Sequence, residues 1–185
     1  MPVPLLPRDE LVARIYDVFK KHGYEGASLS DISQATGLGK GSLYHHFPGG
    51  KDDMATAVLE RVQRWLDDVA LTPLRGAGTP ASRLRAMLKN FDELYAGGRE
   101  ACVLGTLTVG ESRTKFADAL RAAFATWIDA LRDLAVEAGV PRQEAQRRAE
   151  DAVVRIEGSL VLAAGLGDPA PFRRATKSIE RDLLG

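Results

Sequence analysis

Between residues 36 and 51 the chain reads "TGLGKGSLYHHFPGGK", and this stretch gathers the side chains best suited to chemistry. His45 and His46 are adjacent, Tyr44 precedes them, Ser42 adds a hydroxyl, and Lys40 and Lys51 stand on either side. Metal binding is the first chemistry that paired histidines suggest. On a helix, however, neighbouring residues diverge by about 100°, and no Cys, His or carboxylate three or four positions on completes a ligand set. Enzymatic chemistry has as little to build on. All three histidines lie within the first 46 residues, and Cys102, in an apolar helical stretch with no histidine nearby in sequence, reads as an inert small hydrophobe. No glycine-rich phosphate loop follows a strand. What the stretch does suit is a polyanion: cations, a small hydroxyl, an amphipathic ring, and no acid in sixteen residues to repel phosphate at short range. Singly, Lys40 and Lys51 are ordinary solvated charges and Tyr44 an ordinary surface ring. Their joint placement is the signal.

The whole chain frames that reading. Its 185 residues suit one domain of ordinary size or a small domain joined to a larger one. Twenty-five basic and 25 acidic side chains cancel, so no global field draws the chain to nucleic acid or membrane, and any polyanion must meet a local patch. A single cysteine excludes an internal disulfide. The N-terminus lacks a basic segment followed by an apolar one, and no apolar run is long enough to span a bilayer. A soluble, cytoplasmic protein without membrane contact is expected, with no cofactor and no metal.

The elements that position the stretch are helical. Leu11, Ile15, Val18 and Phe19 recur at helix spacing until His22-Gly23. Ser28, with Asp31 three residues on, makes a capping box for a short helix from about Leu29 to Thr36. Gly37 supplies its left-handed end, and a third short helix buries Leu43 and Phe47 before "PGG". From Lys51, a helix of about five turns carries Met54, Val58, Val62, Trp65, Leu66 and Val69 on one face and closes near "TPLRGAGTP". Thr79 and Pro80 open the next, with Leu84, Leu88, Phe91 and Tyr95. A short helix over Ala101–Val109 follows, then a long stripe from Phe116 to Ala138, then helices over about Pro141–Ala164 and Pro169–Leu184. No strand pattern, repeat or low-complexity segment is present. The fold class is therefore all-α, about nine helices. A three-helix N-terminal module, residues 1–50, is joined by a long helix to a larger helical bundle, residues 51–185. The first module is too small to be stable alone, so the fourth helix is expected to dock on it.

Two short helices joined by a glycine turn match the helix-turn-helix, whose second helix enters the major groove of DNA. That helix needs small, polar outward residues. Gly39, Lys40, Gly41 and Ser42 supply them, and Tyr44, His45 and His46 face away from Leu43 and Phe47. The segment "FKKHGYEGASLSDISQATGLGKGSLYHHFPGGKDDM" resembles the DNA-binding region of the TetR family of bacterial transcriptional regulators, in particular through "DIS", "ATG", "KGSLYHHF" and Lys51. The resemblance covers residues 8 to 60. Its "HHFPGGK" ending is similar to a branch containing repressors of drug-efflux and flavonoid-responsive genes. One departure is Gly39, where many members carry a serine or threonine cap. The resemblance implies that Ser28 touches phosphate, that Lys40, Ser42 and His45 face base edges or nearby phosphates, that Tyr44, His46 and Lys51 grip the backbone, and that Gly41 allows close approach.

It further implies that the remaining two thirds bind a small-molecule effector and form a homodimer. Trp65, Phe91, Tyr95, Phe116, Phe124 and Trp127 offer enough aromatic area to line a pocket for an apolar or aromatic molecule. The same stripe is also what an ordinary helical core looks like. The helix after Pro141 is apolar on two sides, and the pair of C-terminal helices is expected to make a two-fold four-helix interface through Val154, Gly158, Val161, Phe172, Ile179 and Leu183. The function so implied is a homodimeric repressor released by its effector from an inverted-repeat operator in double-stranded DNA. The alternatives are a helical enzyme with an incidental N-terminal module, and a ligand-independent DNA-binding activator.

Overall fold

The computed structural model describes residues 6–185, which form ten α-helices and no strand. No helix among them is long and apolar enough to cross a membrane. They are α1 Arg8–Gly26, α2 Leu29–Thr36, α3 Lys40–His46, α4 Lys51–Trp65, α5 Pro80–Leu94, α6 Val103–Leu107, α7 Ser112–Lys115, α8 Ala117–Glu137, α9 Arg142–Leu166 and α10 Ala170–Leu184. The helix beyond the expected nine is α7, four residues that are too short to show a period. The chain divides into two compact units. The first runs through Val62 and also takes in Val103–Leu120, and the second comprises Gln63–Cys102 and Arg121–Gly185. The N-terminal unit thus extends past residue 50 and includes most of α4, as a module too small to stand alone requires.

In the first unit, Leu11, Ile15 and Phe19 of α1, Ile32 of α2, Leu43 of α3, Phe47, and Val58 of α4 are completely buried together. The α1 helix breaks at Gly23, whose φ of 66° and ψ of −178° only glycine adopts readily. The remaining turn, Tyr24–Gly26, forms a hook leading into α2. Ser28 caps α2 with the expected capping box: its hydroxyl accepts the Asp31 N–H at 3.1 Å while the Asp31 carboxylate takes the Ser28 N–H at 3.0 Å. Gly37 ends α2 in the left-handed conformation.

In the second unit, α4 gives way to a π-turn over Leu66–Ala70 and then a 3-10 turn over Thr72–Arg75. This corrects the expected five-turn face. The wider π-turn rotates Val69 off the buried stripe, leaving it half exposed while Leu66 and Ala70 are buried. Thr79 caps α5 through the Ser82 N–H at 3.2 Å, and Pro80 occupies its first position. The Asp168 carboxylate accepts the Ala170 N–H at the start of α10. Leu131 and Leu134 of α8, with Ala149, Ile156 and Leu160 of α9, supply further core.

The α10 helix packs along α9 of its own chain, and this overturns part of the expected dimer surface. Phe172, Ile179 and Leu183 are 0%, 1% and 1% exposed in the lone protomer, because they are the face that seats α10 on α9. Val154 and Val161 are 67% and 71% exposed, and Leu162 and Leu166 extend the same apolar surface.

Candidate nucleic-acid interface

The residues expected to meet DNA are brought to one end of the first unit by α2 and α3. Ser28, Lys40, Gly41, Ser42, Tyr44 and His45 are exposed, while His46 and Lys51 are half buried. Gly39 occupies the N-cap of α3 without a side-chain cap, so the first N–H groups of α3 lack the partner that a serine or threonine would give. Gly41 has no structural reason within the chain to be glycine. A Cβ there would meet nothing within 4 Å, and its φ is not positive.

Two contacts fix the far end of α3. Arg8 donates to the His46 carbonyl at 3.2 Å, and its guanidinium lies 5.0 Å from the centre of the Phe47 ring. Asp53, in the first turn of α4, accepts the Gly49 N–H at 2.6 Å. Tyr44 leans on Gly50, where a Cβ would stand 3.3 Å from its ring, so this tyrosine has both an exposed tip and a packed edge. The rings of His45 and His46 meet edge to face at 5.8 Å, and no cluster of His, Cys, Asp or Glu among the described residues could hold a metal ion.

Lys51, expected to grip phosphate, also makes contacts inside the chain. Its ammonium donates to the carbonyls of Tyr24 and Ala27, at 2.9 and 3.2 Å, and lies 4.5 Å from the centre of the Tyr24 ring. Two of its three N–H donors therefore close the end of α1. Beside it, the Tyr24 hydroxyl donates to Asp52 and accepts from Lys115 at 3.1 Å, while Lys115 pairs with Asp52 at 2.9 Å. The Tyr24 hydroxyl holds Asp52 below the usual carboxylate range, helped by Lys115. Sequence reading missed Arg8, Tyr24, Asp52, Asp53 and Lys115. Only Asp52 and Asp53 carried a signal, as acids at a helix start.

Four of the expected pocket residues meet within the second unit. Phe91 stacks on Trp127 at 4.5 Å with ring planes 8° apart, meets Trp65 edge-on at 5.4 Å and approaches Tyr95 at 5.9 Å. Phe116 belongs instead to the first unit, edge-on to Tyr24 at 5.5 Å, because the chain turns between α7 and α8 at this residue. Phe124 is half buried on α8. Phe91, Tyr95 and Trp127 are 1%, 2% and 0% exposed, the burial of a packed core. Polar atoms nonetheless lie enclosed in this unit without a partner: Trp127 Nε1, Gln63 Oε1, Arg83 Nε and Glu157 Oε1.

Comparison with known proteins agrees with this geometry from both ends of the chain. Residues 11–58 match the bacterial regulatory proteins of the tetR family, and residues 80–178 match the C-terminal domain of transcriptional regulators like LmrA and YxaF. The chain is 24% identical over 181 residues to the HTH-type transcriptional regulator LmrA of Bacillus subtilis, covering 96% of each. A TetR transcriptional regulator from Legionella pneumophila has the same fold, with a TM-score of 0.84 at 18% identity over 98% of both chains. So does the TetR family regulator CifR, in a cysteine mutant complexed with 26-bp double-strand operator DNA, with a TM-score of 0.77 at 21% identity over 97% of this chain and 98% of that one.

Proposed function

Since the chain belongs to the TetR family of DNA-binding transcriptional regulators, with a C-terminal domain of the LmrA/YxaF kind, we propose that it is a cytoplasmic homodimeric repressor. It binds an inverted-repeat operator and leaves it when a small apolar or aromatic molecule binds. The observation that carries the operator half of this reading is the exposed, acid-free face of α3 with an unforced glycine at position 41. Lys40, Ser42 and His45 read base edges or neighbouring phosphates there. Ser28, Tyr44 and His46 position the backbone, and contacts of that kind fix register without reading sequence. The complex of CifR with operator DNA supports the same use of the fold.

Dimerisation rests on α9. Val154, Val161, Leu162 and Leu166 are exposed, and Gly158 and Gly165 lie among them with nothing within 4 Å of a Cβ. Gly158, in the helix interior, costs about 1 kcal/mol relative to alanine, and both glycines leave room for another backbone. A second copy of α9, related by a two-fold axis, covers this surface and places the two α3 helices to read a symmetric site. The effector site belongs to the second unit, where the aromatic side chains and the unpartnered polar atoms lie.

Footprinting upstream of the neighbouring genes tests the reading. Protection of an inverted repeat with half-site centres ~34 Å or a multiple apart is expected. The substitution Val161→Glu should give monomers by sedimentation and abolish that protection. Protection of a site without dyad symmetry, or a dimer unaffected by Val161→Glu, overturns it.

A further inference from the structure

The hook at the end of α1 is held by residues that come from three parts of the chain. Tyr24 is its hub. The hydroxyl is shared with Asp52 and Lys115, the carbonyl takes Lys51, and the ring centre lies 4.5 Å from the ammonium of Lys51 and 5.3 Å from that of Lys115. The Phe19 and Phe116 rings complete its surroundings. Glu25 adds a second strut by accepting the Ser112 N–H at 3.1 Å, and the hydroxyl of Thr106 in α6, which donates to the Val103 carbonyl at 2.9 Å, lies 3.4 Å from the Phe19 carbonyl. Lys115, Ser112 and Thr106 all belong to Val103–Leu120, the segment from the middle of the chain that joins the first unit.

The location of this hub relative to α2 and α3 gives it a consequence. Ala27, whose carbonyl Lys51 holds, directly precedes the Ser28 cap of α2. Lys51 and Asp52 directly follow Gly50, against which Tyr44 leans at the end of the α3 region. Entry to α2 and exit from α3 are therefore fastened to one tyrosine. The third arm of that fastening is Lys115, 91 residues away in sequence.

We propose that Lys115 is a positioning residue for DNA recognition: by bracing Asp52 and Tyr24, it fixes the entry of α2 and the exit of α3 relative to one another. The inference rests on the reading of α2 and α3 as the DNA-binding pair. Lys115 itself meets no DNA, so its contribution is to the geometry required by specific sites and not to the general attraction of phosphate. A methionine at 115 keeps the length and apolar stem but removes the charge that braces Asp52. Arginine keeps the charge.

The test uses the full-length protein and two probes, a duplex that the unaltered protein selects from a random DNA pool and a scrambled duplex of equal composition. Lys115→Met and Tyr24→Phe should each weaken binding to the selected duplex about 10-fold and change binding to the scrambled one less than about 2-fold. The salt slope should stay unchanged on both, because no phosphate contact is lost. Lys115→Arg should recover most of the specific affinity. Tyr24→Phe removes one oxygen only and keeps the comparison open if Lys115→Met does not fold. Unchanged affinity for the selected duplex in both variants overturns the proposal. Equal weakening on both duplexes with a slope lowered by about one also overturns it, by making Lys115 a phosphate contact. If the unaltered protein selects no duplex at all, the DNA-binding reading falls and takes this inference with it. A selecting protein whose variants bind as tightly sinks the inference alone.

Discussion

Tyr24 in the first unit and Trp127 in the second are both buried rings with aromatic neighbours, yet Tyr24 reaches half-exposed polar partners and Trp127 does not. Around Tyr24 the hydroxyl and carbonyl, the Asp52 carboxylate and both ammonium groups have partners, and cations lie near the ring. Around Trp127 the rings stack, but the indole N–H is enclosed without an acceptor. An enclosed polar group without a partner is expensive, while a satisfied network holds one geometry. The contrast teaches that the first unit is built to keep a shape. The second is held by ring stacking and leaves several enclosed polar atoms without a protein partner.

The largest effect that can break this comparison is expected at Trp127. If its ring fills the interior, Trp127→Ala should cost roughly 3–5 kcal/mol in urea unfolding, the range for large aromatic truncations in a core. A cost near 1 kcal/mol would mean that the ring borders open space in the free protein. The stack would then be a preformed cavity wall, and the difference between the two regions would be one of hydration.

Much of the first region was legible in sequence because its signals are local. Ser28 and Asp31 are three residues apart, Gly37 and Gly39 flank a tight turn, and Leu43 and Phe47 share a face one helical turn apart. The network around Tyr24 was not legible, since Lys115 and Asp52 meet across 63 residues and leave no periodic trace. Phe116 continues the apolar spacing of α8, but the turn that assigns it to the other unit lies in a four-residue helix with no pattern of its own. On α10, Phe172, Ile179 and Leu183 form an apolar stripe that looks the same whether it meets its own α9 or a partner's. Helix periodicity reports that a face is buried, not what buries it.

A smaller effect sharpens the comparison at Tyr24. Tyr24→Phe should cost about 1 kcal/mol, since it removes hydrogen bonds at one oxygen while Lys115 and Asp52 stay paired directly. Thermal unfolding at neutral pH reads it. A loss above roughly 3 kcal/mol would mean that the pair does not survive without the hydroxyl, and that the network is all-or-none.

The smallest effect, and the one with a defined sign in pH, is at Glu157 on α9. Its Oε1 is enclosed without a hydrogen-bond donor, and burial raises the carboxyl above its ordinary value of 4.5, a rise that a bond from Cys102 only partly offsets. A raised acid holds its proton more tightly in the folded chain than in the unfolded one. Its stabilising contribution is therefore complete below pH 4.5 and is lost as pH climbs through the folded value. Glutamine keeps the shape and cannot ionise. Glu157→Gln should thus match the unaltered protein near pH 4 and exceed it at pH 7, followed as the difference in unfolding midpoint across that interval. The gap should open with rising pH and then level off. A gap that is constant with pH would show that the carboxyl titrates normally. A gap that opens in the opposite direction would mean that a cationic partner reaches Glu157 in solution, and the second unit would then satisfy its buried polar groups much as the first one does.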